Sequence, residues 1–111
     1  MVIIMESEQK KQEILDLAYS MINGKINLVL GSRLMNRLRF EADEDENSIF
    51  NTFDGVDSDT ERFIFGKTRE LHSSEYLQQT DKELAEYLQD MRPYIIDACK
   101  HVIDYFSDQS K

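Results

Sequence analysis

The chain has 111 residues, 41% of them hydrophobic and 32% charged, and a net charge of −9 at pH 7. That length suits one domain around one core, and the balance of apolar and charged residues excludes a disordered chain, which lacks the apolar surface to offset its ordering entropy. The acidic excess excludes a nucleic-acid partner, and no stretch approaches the ~18 apolar residues of a membrane span.

The opening Met1-Val2-Ile3-Ile4-Met5 is apolar but runs straight into Glu6 and Glu8, with no basic flank and no small-residue cleavage site, so it does not read as a secretory signal. Cys99 is the only cysteine, which rules out an internal disulfide and suits a reducing compartment; a cytoplasmic location is expected. Ordinary burial accounts for that thiol.

From residue 7 to 22, Ile14, Leu15, Leu17, Ala18, Met21 and Ile22 recur at spacings of three and four, which predicts an amphipathic helix. Asn23-Gly24 then offers a left-handed C-terminal cap. Over 26–40, Ile26, Leu30, Leu34 and Leu38 repeat every fourth residue, flanked by Val29 and Met35, and predict a second helix that closes an αα-hairpin with the first. Gly31 inside it costs ~1 kcal/mol relative to Ala, a penalty best tolerated where a neighbouring helix comes close.

The stretch 41–73 shows no sustained period and reads as an irregular, ordered crossing loop. Phe50 and Phe53 can pin one helical turn to the core, and Arg62-Phe63-Ile64-Phe65 reads as a short extended piece. A short helix is expected over 74–79. Thr80-Asp81-Lys82-Glu83 matches a capping box, in which the Thr hydroxyl and the Glu carboxylate each satisfy an orphan amide, and so marks the start of a separate long helix over 81–107. Leu84, Leu88, Met91, Ile95, Ala98, Val102 and Tyr105 hold its stripe in register through Pro93, which predicts a bent but continuous helix and the main donor of core residues. The fold class expected is therefore all-α: a small helical bundle of an αα-hairpin and a long kinked C-terminal helix.

The charge is concentrated. Glu41, Asp43, Glu44, Asp45, Glu46, Asp54, Asp57, Asp59 and Glu61 fall in a window without Lys or Arg, and these nine acids equal the whole net charge. Asp43-x-Asp45-x-Asn47, with Asn51 and Asp54 following, imitates a calcium-binding EF-hand loop, but Ser48 stands where the turn needs glycine and Asp54 is shorter than a bidentate Glu. Asp57-Ser58-Asp59 more simply makes a turn or a cap. Asp90, Asp97, His101 and Asp104 align along one edge of the last helix, opposite its apolar stripe, where solvent is the expected neighbour. Arg33 and Arg37, one turn apart, suit pairing with the acidic window. No phosphate-binding glycine loop, nucleophile elbow or metal-binding His/Cys motif occurs, so catalysis has no visible foothold and no cofactor is implied.

Phe53-Asp54-Gly55-Val56-Asp57-Ser58-Asp59-Thr60, Gly66-Lys67-Thr68-Arg69 and Ala98-Cys99 together resemble a family of small uncharacterised bacterial helical proteins with an I-D-S-E-T core, a Gly-x-x-Arg and a C-terminal Ala-Cys. Asp59 stands where that family tends to have Glu, and Pro93 departs from its pattern. The resemblance implies a small cytosolic helical protein with no assigned activity, and Asp57, Ser58, Asp59 and Arg69 as a shared site.

The leading expectation is a noncatalytic protein-binding module whose acidic surface, carried by Asp43, Glu44, Asp45, Glu46, Asp57, Ser58, Asp59, Glu61 and Arg69, meets a basic protein in the manner of an inhibitor or an immunity-type partner of a nuclease. Two other classes compete with it. One is a divalent-metal-dependent regulator or enzyme using Asp43 to Glu61; the other is a self-associating structural protein, a homo-oligomer built on the long helix.

Overall fold

A computed structural model describes residues 6–109, so the apolar opening Met1 to Met5 lies outside the described residues. Four α-helices appear: α1 (Glu6–Ile22), α2 (Leu28–Glu41), α3 (Asn51–Asp59) and α4 (Ser74–Gln109), with short 3₁₀ segments at Ser48–Phe50 and Gly66–Leu71. No strand occurs among the described residues, and the all-α class holds. Nor is any described helix long and apolar enough to cross a membrane.

Local chemistry explains the ends of the hairpin. After α1 the chain turns at Gly24 with φ +72°, while Lys25 N–H reaches back to the Ser20 carbonyl and Gly24 N–H to that of Met21, closing the helix as expected of Asn23-Gly24. Asn27 opens α2: its Oδ1 accepts from the Val29 and Leu30 amides at 2.9 and 3.2 Å. The helix therefore starts at Leu28, two residues later than Ile26. This start goes with a face turned from the expected one. Leu28, Val29, Met35 and Leu38 are buried and Leu30 is 38% exposed. Gly31 lies on the inner side, where a Cβ would meet Met21 of α1 at 2.8–2.9 Å, so the close approach inferred from this glycine is real.

The segment 41–73 is more ordered than its lack of period suggests. Phe50, Phe53 and Val56, each fully buried, form a stripe three residues apart and draw the chain into a 3₁₀ turn followed by the nine-residue α3, where a loop with one pinned turn was expected. α3 packs against both α2 and α4, and α1 packs against both as well. Phe50 sits at their meeting point, its ring 6.3 Å from Phe53 and 6.1 Å from Phe106. Residues 63–65 are irregular, with Phe63 buried.

The C-terminal helices merge. One 36-residue helix runs from Ser74 through Pro93 to Gln109, in place of a short helix and a separate long one. The capping role assigned to Thr80 falls instead to Ser73, whose Oγ accepts from Tyr76 N–H at 3.1 Å. Thr80 lies inside the helix, where its hydroxyl donates back to the carbonyls of Tyr76 and Leu77 at 3.1 and 3.2 Å. The buried apolar residues of α4, Ile95, Ala98, Cys99, Val102 and Phe106, all follow Pro93; before it, Leu84, Tyr87, Leu88 and Met91 are only partly buried. The C-terminal half of α4 thus supplies its buried core residues, and the part before Pro93 packs against that core partly buried. A helix of 36 residues spans ~54 Å, and the molecule is 55 Å long and 29 by 25 Å across, so α4 sets its long axis.

Candidate functional site: the acidic face of α3 and its approach

The acidic residues play different parts once their neighbours are known. Asp43 follows the last turn of α2 with φ 59°, the left-handed conformation that ends a helix, and the amides of Asp43 and Glu44 return to the carbonyls of Phe40 and Arg39. Its backbone is a terminator as well as its side chain an exposed charge. Glu44 accepts from the Asn47 amide at 3.0 Å, and Asn47 in turn accepts from Ile49 N–H at 3.2 Å to open the 3₁₀ turn. Arg39, 7% exposed, donates to the Asp45 carbonyl and stacks its guanidinium over Phe40 and Phe50 at 5.1 and 5.8 Å.

These contacts depart from a calcium loop. Asn47 Oδ1, one of the oxygens that such a loop would turn inward, is engaged in opening the 3₁₀ turn, and a cationic guanidinium holds the Asp45 carbonyl. A helix does follow, contrary to the expectation of a loop, but it begins at Asn51, inside the twelve-residue pattern. Among the described residues no group of three or more His, Cys, Asp or Glu is placed to hold a metal ion.

Asp57 is a latch between helices. Its carboxylate lies 3.8 Å from Arg33 Nε and accepts from Asn36 Nδ2 at 3.1 Å, while Arg33 also donates to the Thr60 carbonyl at the end of α3. The Arg33 guanidinium covers the Phe65 ring at 5.1 Å as well. The pairing of Arg33 with the acidic window is therefore observed; Arg37 is exposed and forms no ion pair among the described residues. Thr60 itself is fully buried and donates to the Val56 carbonyl at 2.6 Å, capping α3. Asp59, exposed, accepts from the Tyr87 hydroxyl of α4 at 3.2 Å. Burial first, then the charge of Asp59 and this bond, push the Tyr87 phenol up to about 12.

Arg69 does not join Asp57 to Asp59. Its fork grips Asp81 through two bonds of 3.0 and 2.8 Å, and it also donates to the Ile64 carbonyl at 3.1 Å. The Arg69 guanidinium holds the Asp81 carboxyl below its usual range. The shared site implied by the resemblance is thereby divided: Arg69 braces the 3₁₀ turn against α4, and Asp57 braces α3 against α2. Ser58 is exposed on α3, and Asp45, Glu46 and Glu61, all exposed, lie on the segments flanking it.

Two further glutamates, Glu41 inside the acidic window and Glu83 outside it, matter here. Glu41 pairs with Lys10 of α1 at 3.2 Å, and Glu83 of α4 with Arg62 at 2.9 Å. Of the nine acids in the window, Glu41 and Asp57 meet a base, and the other seven form no ion pair among the described residues. The apolar side of α3 is in the core while Asp54, Ser58 and Asp59 are exposed, so the uncompensated carboxylates lie on the outside of the molecule.

Elsewhere the side chains behave as solvated or structural. His101 stands 3.9 Å from Asp97 with both more than half exposed, on the wet face expected for that row. Cys99 is fully buried with its sulfur 3.8 Å from Met21 Sδ, and burial pushes its thiol up to about 12.

Residues without a signal in the sequence include Tyr87, Tyr94 and Gly55. With Thr52, Val56, Asp59 and Met91, Gly55 and Tyr94 line a groove of about 300 Å³ between α3 and α4. The spacing of Thr52, Gly55, Val56 and Asp59 at i, i+3, i+4 and i+7 is one face of a helix and could have pointed to it, but only once the segment is known to be helical. No protein-family model matches the chain, and comparison with curated proteins and with solved structures finds no match to it.

Proposed function

We propose that this protein is a noncatalytic binding module that docks a basic protein on the exposed acids around α3, in the way of an inhibitor or an immunity-type partner of a nuclease. The observation that carries the reading is the disposition of charge: seven of nine clustered acids stand without a basic partner among the described residues, on and around a helix whose opposite side is anchored in the core. A field of one sign on a rigid element speeds encounter with an opposite surface and rejects acidic competitors. Asp54 and Asp59 stand on a packed helix, so the backbone that carries them is already ordered before docking. The family resemblance carried by residues 53–60, 66–69 and 98–99 belongs to this proposal too, as does a cytoplasmic setting.

The test is co-purification from the native cell lysate at low salt. A basic partner is expected to be retained, to elute as salt is raised toward about 0.5 M, and to be lost by more than about ten-fold on combined charge reversal of Glu44, Asp45 and Glu46 to Lys. Retention of the same partner by the reversed protein, or elution that ignores salt, refutes the reading.

A further inference from the structure

We infer that the groove between α3 and α4 receives an arginine side chain from the basic partner, with its stem on the groove wall and its guanidinium at Asp59. This inference rests on the docking reading above and names the seat within it.

The groove has the parts that such a side chain needs and little else. Its volume of about 300 Å³ is at the lower end of the roughly 300–1,000 Å³ typical of ligand pockets, which suits one long side chain and not a cofactor. Met91 gives it accessible apolar surface above the fully buried Val56, and Gly55 leaves a space, with nothing within 4 Å of where a Cβ would stand. Tyr94 is 65% exposed, a large ring presented to solvent at the groove edge. Asp59 supplies the charge, and the Tyr87 hydroxyl fixes its carboxylate while using one of about four acceptor sites. Asp59 has no basic partner among the described residues.

An arginine combines the same properties in complement. Its methylene stem lies along apolar surface, its planar head stacks on an aromatic face, and its donors match a carboxylate. Lysine shares the charge without the plane. Asp59, the one charged residue lining the groove, would repel a carboxylate or phosphate ligand from this place, so charge complementarity selects a cation.

The experiment is a nuclear magnetic resonance titration of the full chain, labelled with ¹⁵N, with the peptide acetyl-Gly-Arg-Gly-amide and with its neutral citrulline counterpart. The arginine peptide is expected to shift the amides of Gly55, Val56, Asp59, Met91 and Tyr94, and the citrulline peptide to bind at least about five-fold more weakly. Gly55→Leu fills the groove without altering charge, and is expected to weaken the arginine peptide at least about ten-fold; Gly55 is helical with ordinary φ, so the change favours folding. Tyr94→Ala, at an exposed position, is expected to weaken it about five-fold and serves if the leucine variant does not fold. Shifts spread along residues 43–61 and unchanged by either substitution overturn the groove while leaving acidic docking in place. Absence of any shift at the groove overturns it too. The protein-level counterpart separates the two ideas: a lysate partner lost on charge reversal of Glu44, Asp45 and Glu46 but kept by Gly55→Leu supports the surface and sinks the seat, and the opposite pattern does the reverse.

Discussion

Gly31 shows how one residue ties local preference to packing. Its place in α2 costs helix propensity, and it is held there because Met21 of α1 occupies the space of a side chain. Gly31→Ala gains ~1 kcal/mol of propensity but drives a methyl into a fully buried Met, and such overpacking costs ~1–3 kcal/mol. Net destabilisation of about 1 kcal/mol is expected in urea unfolding. On a Met21→Ala background the methyl has room, so the same substitution is expected to stabilise by about 1 kcal/mol, and additive effects in the double-mutant cycle would contradict direct contact. The close approach at this glycine could be anticipated from the sequence, because a glycine inside a helix weakens it unless a neighbour needs the room that a side chain would fill. The role of Arg39 could not, since nothing near it in the chain announces that its guanidinium will be buried against Phe50 and take the carbonyl of Asp45.

At the scale of elements, α4 decides how far the capping pattern can be trusted. Thr80-Asp81-Lys82-Glu83 has the residues of a helix start, yet the helix has already run since Ser74. A cap is worth ~0.5–2 kcal/mol, so Ser73→Ala should loosen the first turns of α4, read as faster hydrogen exchange of the amides from Tyr76 to Gln79, while Thr80→Ala leaves that start in place. The reverse pattern would restore the break at Thr80. The first turns are sensitive because residues 70–76 are exposed and no residue of α4 before Pro93 except Thr80 is buried. The sequence conceals α3 for a related reason. Asp54, Gly55, Asp57, Ser58 and Asp59 are poor interior helix formers, and the three buried apolar side chains at spacings of three, with the Asp57 latch to Arg33 and Asn36, hold the turn-and-helix in place. Tertiary contact outweighs local preference there.

For the whole molecule, stability should depend on alkaline pH in a defined way. The Cys99 thiol is pushed from 9.0 to about 12 and the Tyr87 phenol from 10.0 to about 12 in the folded state. Both are raised acids, so their neutral forms favour the fold below about 9; as pH climbs from about 9 to 12 the unfolded chain sheds these protons first and stability falls. Denaturant midpoints measured across that range should decline, and Cys99→Ser should flatten the early part of the decline; a midpoint that rises through the same range would contradict the burial of both groups.

The all-α class, the αα-hairpin, the turn at Gly24 and the concentration of acid between Glu41 and Glu61 could all be read from the order of residues, because helix hydrogen bonds, caps and charge density are properties of neighbours along the chain. The rest depends on residues far apart in sequence: Arg33 with Asp57 and Thr60, Tyr87 with Asp59, Arg69 with Asp81. Such contacts form only when packed helices bring distant side chains within a few ångströms, so it was the tertiary structure that sorted the carboxylates into braces and free charges and opened the groove beside Asp59.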